Sequence, residues 1–399
     1  MSNTKLPGTI SPLATVVCPR FPYPPIGGGV KRSLRLLECI ERAGLRVRVL
    51  TDDRPLPAAI DALAERGWST HVARDRRYPT AARAQQHLLR LPGPRSADLT
   101  SQLKRVTAPI DAMVQLEGPV AAAQVTWPQP VPVVFSTHNV ERHLTRAAAR
   151  AKRPGTVSWL REQYHAHRMA RIEIGTARLA DAVICVSDQD AEAFQRLSKR
   201  VIVAPNGVDE QFFELTESSS ESEDILFFGQ FTYEPNRTGF RRFLQEGWPT
   251  LAAIRPRSRL LVAGEGSREN VQVTHEAERV HVLGLVNDIV GTVAGARLTV
   301  APIWRGGGTR LKVLESLAAL RPVVGTSLGV SGIGFTPGRH GLLGETPVEL
   351  ARAAASLLAE PSRLSAMAHE GRSLAQPYRW TRALAPAEEL YREYASGQR

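Results

Sequence analysis

Long apolar runs are missing from this chain of 399 residues. No stretch approaches the roughly 18 consecutive apolar residues that cross a membrane. The opening MSNTKLPGTISPLATVV lacks the long apolar region and cleavage site of a secretory signal, so none is expected. Cysteine is scarce: Cys18, Cys39 and Cys185 are scattered, and Cys18 and Cys185 sit in apolar, strand-like runs. They read as buried thiols of a reducing cytoplasm, not as disulfides or metal ligands. Aromatic residues make up only 6% and the basic residues are dispersed, a poor basis for nucleic-acid binding. No metal-ligating cluster stands out, so no metal site is expected. No repeat runs through the chain beyond its succession of strand and helix units.

What is present is enough apolar residue, 43%, to fill two ordinary cores. The net charge of +12 is uneven. Residues 1–215 hold 30 basic and 20 acidic side chains, whereas residues 216–399 hold 21 and 19. Two explanations stand: an arginine-rich composition throughout, or an anionic partner for the first half.

The segment from Leu298 to Gly332 organises the rest. Leu298–Ile303 is apolar and β-branched, a buried strand. Gly306, Gly307 and Gly308 break it. Thr309 is placed to cap a helix over Arg310–Leu320, with apolar residues at Leu311, Leu314, Leu317 and Ala318. Pro322 stops the helix and Val323-Val324 opens another strand. Strand, glycine turn, helix and strand make a βαβ unit. Its turn leaves backbone N–H groups at a helix N-terminus, where an anion is favoured. Arg310 and Lys312 add positive charge, and Glu315 can accept from paired sugar hydroxyls. The pattern suits a phosphate joined to a ribose.

The first half opens with a strand at Leu13–Cys18, a Pro- and Gly-rich loop, a helix ending at Gly44 and a strand at Arg46–Thr51. Gly27-Gly28-Gly29 is not GxGxxG, but Asp52-Asp53 after the second strand keeps a dinucleotide-binding alternative open. Within residues 54–110, Pro57–Arg66 is expected to be a helix. The rest of that region is basic, with Leu88, Leu89 and Leu91 apolar; a basic amphipathic helix of this kind can lie on an anionic membrane, but the narrow apolar stripe favours a surface helix with a solvated arginine face. Further strands are expected at Asp111–Leu116 and Val131–Ser136. The second leads into Thr137-His138-Asn139, which puts His138 at a strand's carboxyl end, where open α/β sheets bind ligands. Residues 141–180 read as helix broken near Pro154-Gly155, followed by strands at 181–187 and from Val201.

Residues 216–224, TESSSESED, are polar, acidic and free of apolar side chains, and read as an interdomain linker. The domains are therefore expected at 1–215 and 225–375, with residues 376–399 as a closing helix. Strands follow at Ile225–Phe228, Leu260–Ala263 and Val280–Leu283, each ending at a glycine or just before one.

The sequence GGGTRLKVLE at 306–315, together with "ADAVICVS", "PNGVD" and the Thr137–Glu141 segment, resembles retaining glycosyltransferases of family 4. The resemblance is to the branch carrying Gly-Gly-Gly-Thr-Arg-Leu-Lys at the donor site. It implies the GT-B fold: two Rossmann-like domains facing a central cleft, with the C-terminal helix crossing back to the first. It implies transfer of a sugar from a nucleotide-sugar, a co-substrate, to an acceptor hydroxyl with retention of configuration and without metal or cofactor. The first domain would hold the acceptor and the second the donor. His138, Lys312 and Glu315 are the implied catalytic residues. The implied donor contacts are Gly28, Gly29, Gly229, Gln230, Gly264, Gly266, Leu283, Val286, Gly307, Gly308, Thr309, Arg310 and Leu311. Gln230 stands where many members have an arginine, and Gly307 where many have a glutamate. Arg310 and Lys312, two positions apart, cannot share a helix face, so one alone is expected to touch the phosphates, and Lys312 is preferred. A UDP-, GDP- or dTDP-sugar and a small-molecule or glycan acceptor, anionic or lipid-linked, fit equally. The cytoplasm is the expected location, with peripheral contact to the inner membrane face. A nucleotide-sugar epimerase and a non-catalytic sugar- or membrane-binding relative are the alternatives.

Overall fold

The computed structural model describes residues 11–25, 27–73, 96–106, 110–126, 130–218, 221–271, 279–306 and 310–397. The chain forms two compact units. The expected arginine-rich stretch with Leu88, Leu89 and Leu91 lies outside the described residues, as do Gly307, Gly308 and Thr309.

The first unit comprises residues 1–205 and 384–399. Its strands are β1 (Leu13–Val17), β2 (Arg46–Thr51), β3 (Ser69–Val72), β4 (Asp111–Glu117), β5 (Val133–Ser136), β6 (Ala182–Cys185) and β7 (Val201–Val203). They form one parallel sheet in the order β3-β2-β1-β4-β5-β6-β7. The central strands read as unbroken apolar runs because helices cover both faces of a parallel sheet. The connecting helices are α1 (Gly28–Arg42), α2 (Pro57–Ala64), α3 (Ala97–Leu103), α4 (Gly118–Gln124), α5 (Glu141–Arg150), α6 (Val157–Leu179) and α7 (Asp188–Gln195). Val114, Phe135, Val183 and Phe194 anchor the core beneath them. The expected break between α5 and α6 falls where Pro154-Gly155 was read. Cys18, Cys39 and Cys185 are buried and unpaired, and burial pushes the Cys39 thiol up to about 12 and the Cys185 thiol to about 11.

The second unit comprises residues 206–383. Its strands are β8 (Ile225–Phe228), β9 (Leu260–Ala263), β10 (Val280–Gly284), β11 (Leu298–Ala301), β12 (Val323–Gly325) and β13 (Gly341–Leu343), in the order β10-β9-β8-β11-β12-β13 and again parallel. Its helices are α8 (Glu210–Phe213), α9 (Glu234–Arg242), α10 (Trp248–Ile254), α11 (Ser267–Asn270), α12 (Ile289–Gly295), α13 (Leu311–Ala318), α14 (Pro347–Ala359), α15 (Pro361–Ala375) and α16 (Trp380–Ala383). Helix α13 is shorter than Arg310–Leu320. It ends at Ala318 because Leu320 takes a left-handed φ of 58° and Pro322 cannot continue the turn. Together the two units are the α/β architecture of two Rossmann-like domains. Among the described residues no helix is long and apolar enough to cross a membrane.

The division between the units differs from the composition-based one. It falls between Pro205 and Asn206, not at 216–224. The polar stretch is fastened into the second unit by arginines distant in sequence. Arg372 donates to the Leu215 carbonyl, Arg321 to the Thr216 carbonyl at 2.9 Å and Arg297 to the Ser218 carbonyl at 2.9 Å. Its carboxylates are used as well: Glu217 accepts from Ser365 at 2.8 Å, and Asp224 pairs with Arg259 at 2.6 Å. Lack of apolar residues signals a linker only when the polar groups stay in water.

The chain leaves the second unit at Ala383 and Leu384, later than the expected 375. Residues near both crossings pair with each other inside the second unit: the Val208 N–H donates to the Tyr378 carbonyl at 2.7 Å. The last helix, α17 (Ala385–Ala395), belongs to the first unit. Leu390 and Tyr391 are fully buried there, Glu388 pairs with Arg42 at 2.9 Å, and Glu393 pairs with Arg200. The Tyr391 hydroxyl donates to Gln115 Oε1 at 2.7 Å. Tyr391→Phe keeps the ring and strands that acceptor in a buried site. It should lower the stability of the first unit by about 1–3 kcal/mol. A urea midpoint unchanged from wild type would show that this bond contributes nothing.

Candidate functional site

Each sheet has one place where strand order reverses, and there the loops leaving two adjacent strands diverge and open a crevice at their carboxyl ends. In the first unit this place lies between β1 and β4, and in the second between β8 and β11. Several of the described residues singled out from the sequence lie beside these two places, each within its own unit.

In the first unit, β1 runs through the proline-rich loop into α1, which starts at Gly28. A Cβ on Gly29 would lie 3.9 Å from the His138 ring, so the glycine loop and the histidine after β5 are neighbours. His138 is half-buried, with Nε2 3.5 Å from Glu117 Oε2. Glu117 ends β4 and is buried. Its carboxylate accepts from Ser33 Oγ at 2.8 Å and from Gln115 Nε2 at 2.6 Å, and Tyr391 holds the other end of Gln115. Burial alone would raise the Glu117 pKa. The hydrogen bond and charge of His138, with the donors Ser33 and Gln115, outweigh it and hold the carboxyl below its ordinary value. An ionised carboxylate therefore sits under His138. Glu117 was not singled out from the sequence, although a carboxylate ending a buried strand is costly unless partnered and so carries a signal.

Arg32, near the start of α1, is fully buried. It donates to the Pro205 carbonyl at 3.2 Å, and burial pulls its pKa down while Glu117 opposes this. Asp53, the ribose acceptor of the dinucleotide alternative, is occupied within the protein. It accepts from the Phe21 N–H at 2.9 Å and from the Arg54 N–H at 2.9 Å. The sequence does contain one Asp-x-Asp, at Asp188 and Asp190. It forms the acidic first turn of α7, where the Asp190 N–H donates to Ser187 Oγ at 3.1 Å. Among the described residues, no group of three or more His, Cys, Asp or Glu is arranged to hold a metal ion.

In the second unit, Gly229 follows β8 at φ 148° and Gly264 follows β9 at φ 133°. A Cβ on Gly264 would strike the Gly229 carbonyl oxygen, so only glycine lets these two strand ends approach. A Cβ on Gly229 would lie 2.9 Å from Lys312 Nζ. The bare glycine is what admits the lysine. Lys312 comes from the first turn of α13, donates to Asn236 Oδ1 at 2.6 Å and lies 4.4 Å from the centroid of the Phe227 ring. Asn236 Nδ2 donates in turn to the Gln230 carbonyl at 2.8 Å. Burial pulls the Lys312 ammonium down to about 7, with Arg310 adding to the fall and Glu315 opposing it. Asn236 lies in the first turn of α9, and nothing local in the sequence marks its long-range contact.

Arg310 occupies the N-cap position of α13, and its guanidinium supports the surrounding backbone. Nε donates to the Leu328 carbonyl at 3.2 Å and Nη2 to the Gly306 carbonyl at 3.0 Å. Its side chain makes no cap hydrogen bond to the helix. Glu315 is half-buried on the same helix, as is Leu311. Gln230 points its amide to Glu265 at 3.4 Å, and Gly266, at φ 74°, opens the short α11. The side chains of Leu283 and Val286 pack on the core, and the Leu283 carbonyl accepts from Arg268 at 3.0 Å. Gly229, Gln230, Gly264, Arg310, Lys312 and Glu315 thus surround or border one switch point, whereas Gly28, Gly29 and His138 belong to the other unit.

The two parallel-sheet units have counterparts among solved structures. Sucrose-phosphate synthase from Thermosynechococcus elongatus is 18% identical over 97% of this chain and 100% of its own, with a TM-score of 0.67. Anabaena Alr3699/HepE, solved with UDP and glucose, is 16% identical over 94% and 98%, with a TM-score of 0.65. A glycosyltransferase from Rickettsia africae ESF-5 is 12% identical over 96% and 98%, with a TM-score of 0.61. At these identities the likeness establishes the fold. No curated protein sequence matches the chain significantly. Residues 26–212 match the family model described as Glycosyltransferase Family 4, and residues 222–360 match Glycosyl transferases group 1. These two matches, one in each unit, and the shared architecture make the chain a glycosyltransferase of family 4 with the GT-B fold.

Proposed function

We propose that this glycosyltransferase moves a sugar from a nucleoside-diphosphate sugar held by the second unit to a hydroxyl of an acceptor held by the first, with retention and without a metal. One observation carries this reading: the Lys312 ammonium, enclosed by Gly229, Asn236 and Phe227 at the second unit's switch point. A lysine in so little water is short of anionic partners, and a diphosphate would supply them. The start of α13, with no side-chain cap from Arg310, adds backbone N–H groups for the same anion. Binding of UDP and glucose by the Anabaena protein of like fold supports a nucleotide-sugar donor.

In the proposed reaction the acceptor oxygen forms a bond to the anomeric carbon on the face from which the diphosphate departs. The carbon–oxygen bond to the diphosphate breaks, and the acceptor proton passes to the departing phosphate. Lys312 offsets the charge that grows on that phosphate. His138, held over the ionised Glu117, contacts the sugar or acceptor. Glu315 holds the ribose hydroxyls. Product analysis with a panel of UDP-, GDP- and dTDP-sugars tests the reading. An acceptor glycoside of unchanged anomeric configuration is expected, and an inverted product would overturn retention.

Glu315→Ala should weaken donor binding by about 1.5–3 kcal/mol, the loss of charge-assisted hydrogen bonds to ribose, in a protein that stays folded. Unaltered donor affinity would remove Glu315 from the site.

The Lys312 ammonium sits near pKa 7 without ligand. An anionic partner raises that pKa, so binding takes up a proton above about pH 7. Nucleoside-diphosphate affinity should therefore fall as pH rises from about 7 to 9, by no more than about tenfold per pH unit. In Lys312→Met that slope should vanish and affinity at pH 7 should drop. Calorimetry in two buffers of different ionisation enthalpy reads the proton directly, and equal apparent enthalpies would count against the lysine as the phosphate's partner.

A further inference from the structure

Helices α5 and α6 form an antiparallel hairpin in the first unit. One end is pinned by the buried Glu173, which accepts from the Glu141 N–H at 2.7 Å and pairs with Arg142 at 2.6 Å. At the other end, residues 151–155 of the connecting loop are exposed. The inner face of α6 buries Glu162, Ala166, Met169, Ala170 and Glu173. Helical spacing puts Val157, Leu160, Tyr164, Arg168 and Arg171 together on the opposite face.

That outer face is apolar where water would favour polar residues. Val157 is 82% exposed, Leu160 58% and Tyr164 44%, with Leu144 of α5 at 39%. Its charge has one sign. Between His143 and Ile172 the sole carboxylate is Glu162, which is buried beside Arg161. The exposed charged groups over that stretch are Arg146, Arg150, Lys152, Arg153, Arg168 and Arg171. An apolar stripe rimmed by charge of one sign marks an interaction surface.

We propose that this hairpin docks the protein on an anionic lipid bilayer. Val157, Leu160 and Tyr164 enter the boundary between headgroups and acyl chains, and the surrounding arginines and lysine meet lipid phosphates. The chemistry favours a bilayer over other anions. A polyanion gives no use to the apolar stripe. Long, flexible cations on both sides of that stripe suit a fluid array of phosphates, and Tyr164 can keep its hydroxyl among headgroups while its ring goes deeper.

The test is co-sedimentation of the full chain with vesicles of phosphatidylcholine alone and of phosphatidylcholine mixed with phosphatidylglycerol. Strong binding to the mixed vesicles and weak binding to the neutral ones is expected. V157S/L160S and R150E/R153E should each lower that binding about tenfold or more. All four side chains are surface groups, so both variants should keep the wild-type far-ultraviolet circular dichroism. R196E/K199E makes the same charge change at other exposed positions of the first unit and should leave binding near wild type. The proposal is overturned by absence of binding to the mixed vesicles. It is also overturned if V157S/L160S binds as wild type does, which would point to a polyanion. An equal loss in R196E/K199E would replace the hairpin with overall charge and overturn it too.

Discussion

A buried ammonium needs a reason to stay charged, and that requirement shapes the second unit's switch point. Among the described residues Lys312 donates to the Asn236 amide oxygen and lies over the Phe227 ring. Neither replaces the water it lost, and burial draws its pKa to about 7. Gly229 exists in its backbone conformation so that the side chain fits, Gly264 so that the strand ends meet, and Asn236 so that the amine is oriented. Arg310 keeps the helix start in place through the Leu328 and Gly306 carbonyls. Under the proposed reaction, Lys312 would supply the cation that Gln230 cannot.

The first unit inverts the charge. Its switch point holds an ionised carboxylate, Glu117, kept below its ordinary pKa by donors despite burial. The donors come from three separate parts of the chain: Ser33 on α1, Gln115 on β4 and His138 after β5. Tyr391 on the last helix completes the set through Gln115. The C-terminal helix therefore contributes to the polar interior behind His138 as well as to packing.

Arginine serves structure throughout. Arg297, Arg321 and Arg372 pin residues 215–218 through backbone carbonyls, Arg32 and Arg310 hold loops near the two switch points, and Arg142 locks the α5–α6 hairpin. Guanidinium suits this work because its five donors can satisfy several carbonyls at once. In the first half Arg32 and Arg142 are absorbed internally in this way, whereas the arginines and lysine at the exposed end of the hairpin are not.

The amino-acid sequence alone determined most of the parallel strands, the helices within 57–66 and 141–180, the strand and helix on either side of the glycine turn before Lys312, and the position of His138 after a strand. Those features are local, since buried parallel strands and glycine turns leave their pattern in a few consecutive residues. It also suggested the family, through short segments that each lie in one loop or helix start. Tertiary structure alone decided that residues 215–218 and Asp224 are fastened by distant arginines, that Arg32 is buried, that Arg310 supports backbone while Lys312 meets Asn236, and that Asn236, Glu117 and Tyr391 belong to the polar networks. Each of these depends on partners dozens to hundreds of residues away, and a carboxylate, amide or arginine reads the same in sequence whether it meets water or a distant partner.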